Sequence, residues 1–406
     1  MAKTVPKEYY PFLDGFRALA VLIIIVHHMR RSLDLDHLFE TSPTFQWIYL
    51  KMKESFNIDL TWLYDSLQGS IWKMKGVLGV EMFFVISGFL ITKTLLKENN
   101  GKVSIKQFYL RRFLRIYPAY AAMICISLAT FFLLNQAKSW DIICTLLRYL
   151  FFLQNYYLRN PFLEHTWFMA VIEQFYLVCP LVILAVYSLT KSPVARRSLL
   201  IATCLLILFI APWIRIYYLA SGHSPIKGPF QSPFPFLTTT FHLGPVVFGC
   251  LLALLEPFWM RWKKKPAWGW FFWIIGMSLF IYLSLNKYWD YFVGEWYFYT
   301  LGYLSAGCLI IAAFHGVSFL TRVQQIQWLG RHSYGIYIWH YLALYFWANW
   351  LGKLPPLLII LAFLLSSVAF GVISAQTIER YFLSIRERLT VHMNNSSAFN
   401  SRISKT

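Results

Sequence analysis

The stretch FLDGFRALAVLIIIVHHM places Arg17 and His28 eleven residues apart in an otherwise apolar run. On a helix that spacing leaves them within roughly 20° of one another and about 16 Å apart along the axis, while His27 points elsewhere. A cation and an imidazole on one face can bind an anion and move a proton. Equally, each could snorkel to its own membrane interface. Ionisable residues within a span mostly face the bundle interior, which favours a polar stripe lining a cavity.

Four more stretches carry similar chemistry. In GVLGVEMFFVISGFLI, Glu81 lies in an apolar run where an unpaired carboxylate is expensive, and Ser87-Gly88 offers small residues for close helix contact. In QFYLRRFLRIYPAY, Arg111, Arg112 and Arg115 crowd the start of a run, with Arg112 and Arg115 neighbours on one helix face. Their guanidinium forks match phosphate oxygens, although a purely topological anchor would also use them. In HTWFMAVIEQFYL, Glu173 repeats the burial pattern of Glu81, and Trp167 is a further candidate. In LGRHSYGIYIWHYL, Tyr334, Tyr337 and His340 follow one another three apart. Aromatic belts explain the tyrosines but not His340. Together these suggest a basic cluster (Arg17, Arg112, Arg115) near the cytoplasm and an acid/base cluster (His28, Glu81, Glu173) in the outer half. Such a layout suits a phosphate-bearing donor entering from inside and proton transfer nearer the far face.

The elements that must position these residues are membrane helices. Of 406 residues, 58% are hydrophobic and only 14% charged, against roughly 25% charged in soluble domains. Continuous apolar runs of about 20 residues fit helices rather than a barrel. Spans are expected near 12–29, 77–95, 113–134, 166–190, 198–220, 236–257, 268–286, 295–315, 333–351 and 355–378. The run 142–157 reads as a re-entrant or interfacial segment. This all-α bundle of about ten spans has both termini in the cytoplasm, and its inner segments carry about twice the Lys and Arg of its outer ones. The expected organisation is one membrane domain over 1–382 and a short, polar, disordered cytoplasmic tail over 383–406. Lys3 and Lys7 precede the first run and no small-residue cleavage site follows it, so that run is expected to remain as a span. The sequon at Asn395 falls in the tail and reads as chance. The formal charge of +19 follows the loops between spans, so a nucleic-acid partner is not expected. The six cysteines lack paired or metal-ligand spacing.

The stretches DGFRALAVLIIIVHH, GVEMFFVISGFLI, RRFLRIYP, HTWFMAVIEQFYL and LGRHSYGIYIWHYL resemble, in order and spacing, the acyltransferase-3 family of membrane O-acyltransferases over residues 9–380. The resemblance implies a bundle of about ten helices. It implies Arg17 and His28 as the first-helix pair, Arg112 and Arg115 as the arginine pair, and Glu81 as the acidic residue before FFVISGF. Family members commonly carry two adjacent carboxylates in the HTW motif, whereas Ile172 precedes Glu173 here. They also often have an acidic residue before the segment FHLGPVVFGCLLALL, where His242 is a partial substitute. The implied reaction transfers an acyl group, acetyl in the leading reading, from acyl-CoA as co-substrate to a hydroxyl of a surface glycan or glycolipid. No bound cofactor or metal is expected. His28 is the expected base, Glu81 and Glu173 its supports, and Arg17, Arg112 and Arg115 the donor-binding set, with Tyr337, His340 and Trp167 as additional candidates. The expected location is the plasma (inner) membrane. Some members carry a further extracytoplasmic hydrolase-like domain. Without one, the chain is expected to complete the transfer itself or to hand acyl to a separate extracytoplasmic partner. Rival readings are acylation of a small molecule such as an antibiotic, and a transporter with a buried-charge pathway; the paired halves common in transporters are not evident.

Overall fold

A computed structural model describes residues 9–33, 76–97, 105–135, 139–156, 163–220, 239–262, 265–285, 292–348 and 354–389. The helices are α1 (Pro11–Leu33), α2 (Gly76–Lys97), α3 (Ile105–Asn135), α4 (Ser139–Leu150), α5 (Trp167–Leu189), α6 (Pro193–Ala220), α7 (Leu243–Trp259), α8 (Pro266–Leu285), α9 (Phe292–Phe314), α10 (Gln324–Arg331), α11 (Ser333–Ala348) and α12 (Pro356–Ser374). A π-helical turn, Ala375–Glu379, continues α12 to Leu389. Each of the ten expected spans falls on a helix. Eight helices among the described residues are long and apolar enough to cross a membrane. The other two, α7 with 17 residues and α11 with 16, are shorter. Helix continues to residue 389, into the segment expected as a tail, and residues 390–406, with the sequon, lie outside the described residues. Residues 34–75 lie outside them too.

The segment 142–157 begins as α4, only 12 residues or about 18 Å long, and ends in a single 3₁₀ turn, Gln154–Tyr156. Ile143, Leu147 and Phe151, spaced four apart, are exposed along one flank, while Tyr149 is buried. At about 18 Å, α4 is too short to cross a ~30 Å hydrocarbon core, and an outward apolar flank suits an interface. Gln174 on α5 ties the following turn down. Its amide nitrogen donates to Phe152 O (2.6 Å) and Asn155 Oδ1 (3.1 Å).

The bundle centres on α2, whose apolar window is 83% buried, against 17% for α8 and 22% for α6, which face lipid. No hydrophobic gain drives helix association within hydrocarbon, so close van der Waals contact must do so. At the α2–α7 crossing, a Cβ on Gly88 would stand 1.9 Å from Val246 O, and one on Gly249 2.1 Å from Val85 O. Lys93 and Glu256 close the same crossing with an ion pair. The start of α1 is fixed against the turn before α10 and α10 itself. There a Cβ on Gly15 would meet Thr321 Cα at 2.4 Å, and one on Gly330 would meet Asp14 O at 1.7 Å.

Gly88→Val should therefore separate α2 from α7. Overpacking of this kind costs about 1–3 kcal/mol, so a thermal melt in detergent should show a lower midpoint and a smaller monodisperse fraction. An unchanged melt would mean that the crossing is looser than described.

Candidate active site

Three polar clusters lie within the bundle. The first gathers imidazoles. His28, near the end of α1, places Nδ1 2.9 Å from His340 Nε2 on α11, with the two rings stacked at 5.1 Å. His27, the adjacent residue, instead packs against α2, where a Cβ on Gly76 would lie 2.8 Å from its ring. His340 is fully buried, and its Nδ1 lies 2.5 Å from Tyr337 O. His165, in the 3₁₀ turn Glu164–Thr166, stacks on Tyr341 at 4.4 Å and meets His340 edge-on at 5.0 Å. Its Nε2 lies 3.1 Å from Ile338 O, and Tyr337 donates its hydroxyl proton to His165 O.

These contacts assign the protons. A backbone carbonyl only accepts, so His340 Nδ1 carries its ring's hydrogen and Nε2 is the acceptor of the uncharged ring. His28 must then donate from Nδ1, which leaves the lone pair on His28 Nε2. By the same reasoning His165 carries its hydrogen on Nε2. The result is an imidazole oriented as a hydrogen acceptor at one defined atom.

The second cluster is basic and lies about 16 Å away along α1. Arg17 donates to Asp14 Oδ1 at 3.0 Å, and Asp14 also accepts from the Tyr9 hydroxyl at 2.6 Å. Arg112 stands over the Tyr176 ring at 4.4 Å and the Phe108 ring at 5.8 Å. Arg115 feels the charges of Arg17, Arg112 and Arg386, and its acidic neighbour is Glu379 on the π turn. Arg115 keeps exposed surface. Like charges this close repel, so the cluster is a natural receptor for a polyanion.

The third cluster joins Glu81 on α2, Arg215 on α6 and His242 at the start of α7, all fully buried. His242 Nδ1 lies 3.7 Å from Glu81 Oε1, and the Trp167 ring packs 4.8 Å from the His242 ring.

The expected basic trio of Arg17, Arg112 and Arg115 is thus brought together, and His28 meets His340 directly. The expected grouping of His28 with Glu81 and Glu173 divides instead. Glu81 interacts with Arg215 and His242. Glu173 interacts with Arg112. The reason is depth: Glu173 stands six residues, about 9 Å, along α5 from Trp167 and faces the arginines of α3. His165, Arg215, Tyr341, Glu379 and Arg386 were not singled out from sequence. His165 and Arg215 carried a signal, an ionisable side chain inside or beside an apolar run. For the other three, only the packing reveals the role. Among the described residues no group of His, Cys, Asp or Glu is arranged to hold a metal ion.

The acyltransferase-3 family model, described as an acyltransferase domain, matches residues 10–376. Curated relatives include the peptidoglycan O-acetyltransferase OatA of Listeria monocytogenes, 28% identical over 371 residues, 82% of this chain and 49% of the relative. The O-acetyltransferase OatA of Staphylococcus aureus is 26% identical over 395 residues, 91% of this chain and 56% of the relative. A putative peptidoglycan O-acetyltransferase, YrhL, of Bacillus subtilis is 27% identical over 363 residues, covering 84% and 49%. The chain spans about half the length of these relatives. No solved structure matches.

Imidazole nitrogen shifts from solid-state NMR of labelled protein in lipid check the proton assignment. Hydrogen on Nδ1 of both His28 and His340, and on Nε2 of His165, is expected. A hydrogen on His28 Nε2 in the uncharged ring would reverse the chain.

Proposed function

The chain belongs to the acyltransferase-3 family, and from that premise we propose that it is a multi-pass enzyme of the plasma (inner) membrane that moves an acetyl group from acetyl-CoA to a hydroxyl of a cell-wall glycan. The observation that carries the reading is the single helix α1, with an arginine cluster beside Arg17 and the lone pair of His28 Nε2 about 16 Å further along. Coenzyme A has the same division. Its phosphates need guanidinium forks, and its extended pantetheine arm bridges a comparable distance to the thioester. With both termini in the cytoplasm, the arginines lie on the side where the donor is made. The names of the relatives point to peptidoglycan as the acceptor.

In the proposed reaction the phosphates rest on Arg112 and Arg115, and Arg17, held by Asp14, adds a third positive charge. Glu173 and Glu379 balance part of that charge before the donor arrives. His28 Nε2 removes the proton of a sugar hydroxyl as its oxygen attacks the thioester carbonyl. The C–O ester bond forms, the C–S bond breaks, and the departing thiolate takes up the proton. A hydroxyl is a poor nucleophile at neutral pH, and a positioned general base typically contributes 10²–10⁴-fold. Positive charge that develops on His28 is shared with His340, whose own hydrogen is anchored on Tyr337 O. Trp167 and Tyr337 act as walls. Tyr337 holds His165 by its backbone, and Trp167 packs on His242.

Purified protein in nanodiscs, supplied with labelled acetyl-CoA and glycan strands, tests the assignment. His28→Ala should lower labelled ester formation by about 10²-fold or more, whereas His27→Ala, facing α2, should retain most of it. Equal loss in both variants, or full activity in His28→Ala, would remove His28 from the base position.

A further inference from the structure

The third cluster is not used by the chemistry above, yet its composition is that of a ligand site. The guanidinium of Arg215 donates from Nε to Phe241 O at 2.9 Å. Neither of its terminal nitrogens, nor either oxygen of Glu81, has a hydrogen-bond partner among the described residues. Opposite charges face one another here, yet leaving fully buried charged groups without hydrogen bonds is costly, and native proteins seldom do so without a purpose. Aromatic faces surround them. Arg215 lies over Phe241 at 5.3 Å and Tyr299 at 5.0 Å, and His242 is flanked by Trp167 and Phe84.

A separate feature is that glycines pack directly against both charged groups. The residue after Leu243 is Gly244, where a Cβ would lie 3.1 Å from Arg215 Nη2. On α9, a Cβ on Gly302 would touch Glu81 Cγ at 3.4 Å. Glycines thus stand against both charged groups.

The location also fits a second substrate. Arg215 is five residues from the end of α6, His242 immediately precedes α7, and Glu81 is one turn and a half into α2. All three sit at the end of the bundle that holds His28. The turn that starts α5 forms the wall between the two sites. On one side His165 packs against His340 and Tyr341, and two residues later Trp167 packs against His242.

We infer that the Glu81–Arg215–His242 cluster is the subsite that seats a sugar unit of the acceptor, an inference that rests on the glycan O-acyl-transfer reading. Sugars are recognised by charged groups that donate to and accept from hydroxyls, combined with aromatic faces for the ring's C–H surface. Arg215 supplies two donor positions and Glu81 two acceptor positions. Trp167 and Tyr299 supply the faces. A carboxylate-bearing sugar would pair with the guanidinium fork directly.

The test uses the full chain in nanodiscs and the disaccharide of N-acetylglucosamine and N-acetylmuramic acid as probe. Its binding is measured by calorimetry without donor, and acceptor KM, kcat and coenzyme A affinity are measured separately. Arg215→Lys keeps the charge that faces Glu81 but loses the fork, and should weaken disaccharide binding and raise acceptor KM about ten-fold. Gly244→Ala leaves every charge in place and crowds the guanidinium together with the Tyr303 ring, and should raise acceptor KM severalfold. In both variants coenzyme A affinity should match the wild type. Wild-type disaccharide binding in both would overturn the inference. So would a joint fall in coenzyme A affinity, kcat and melting temperature without a selective acceptor defect, which marks a structural ion pair only. If the wild type binds the disaccharide through Arg215 but forms no ester, the transfer reading fails and the subsite stands.

Discussion

The carbonyl of Tyr337 can accept a hydrogen but never donate one, and it lies 2.5 Å from His340 Nδ1. That constraint runs through everything at the centre of the bundle. It makes His340 Nε2 an acceptor, makes His28 a donor from Nδ1, and leaves His28 Nε2 with the lone pair that the proposed base needs. The register of α11 guards it. A Cβ on Gly335 would stand 2.5 Å from Gly371 O on α12, and one on Gly371 would stand 2.4 Å from Ile336 N. A slip of one residue along α11 would swing His340 about 100° away from α1. Close packing of small residues at the rear of α11 thereby sets a proton at its front.

The same economy of position governs the charges. Burying an ion in an apolar bundle is tolerated only where partners compensate it. Arg17 has Asp14 at 3.0 Å, Lys93 has Glu256, and Glu81 faces Arg215 and His242. The cluster around Arg115 differs, because three of its charged neighbours are themselves arginines and the nearby carboxylate of Glu379 offsets only part of them. A local excess of one sign favours a ligand of the opposite sign. Because α1 carries both Arg17 and His28, the proposed anion site and base keep a fixed separation whatever the surrounding loops do.

Much of this was legible in the sequence. Apolar runs of span length located the ten long helices, though not the short α4 and α10, since hydrocarbon leaves the backbone no other way to satisfy itself. The shared face of Arg17 and His28 followed from the helical period alone, and Ser87-Gly88 announced a close crossing that Gly88 makes with α7. The grouping of Glu173 with His28 was not correct in space. Depth along a helix can be counted, but which neighbour fills that depth depends on how α3 and α5 pack. Arg215 was visible as a charge inside a span, yet its partner Glu81 lies 134 positions earlier, and no local pattern connects them. The contact of His340 with His28, across 312 positions, is likewise a product of assembly.

The central claim is that the arginines gathered beside Arg17 hold the donor's phosphates while His28, further along the same helix α1, is the base. The most direct measurement is a cryo-EM structure of the protein in lipid with a non-transferable acetyl-CoA analogue. The account predicts phosphate oxygens on Arg112 and Arg115 at the cytoplasmic end, with the acetyl carbonyl beside His28 Nε2. An analogue whose phosphates bind elsewhere, or whose acetyl group lies away from His28 while the phosphates sit on these arginines, would contradict it.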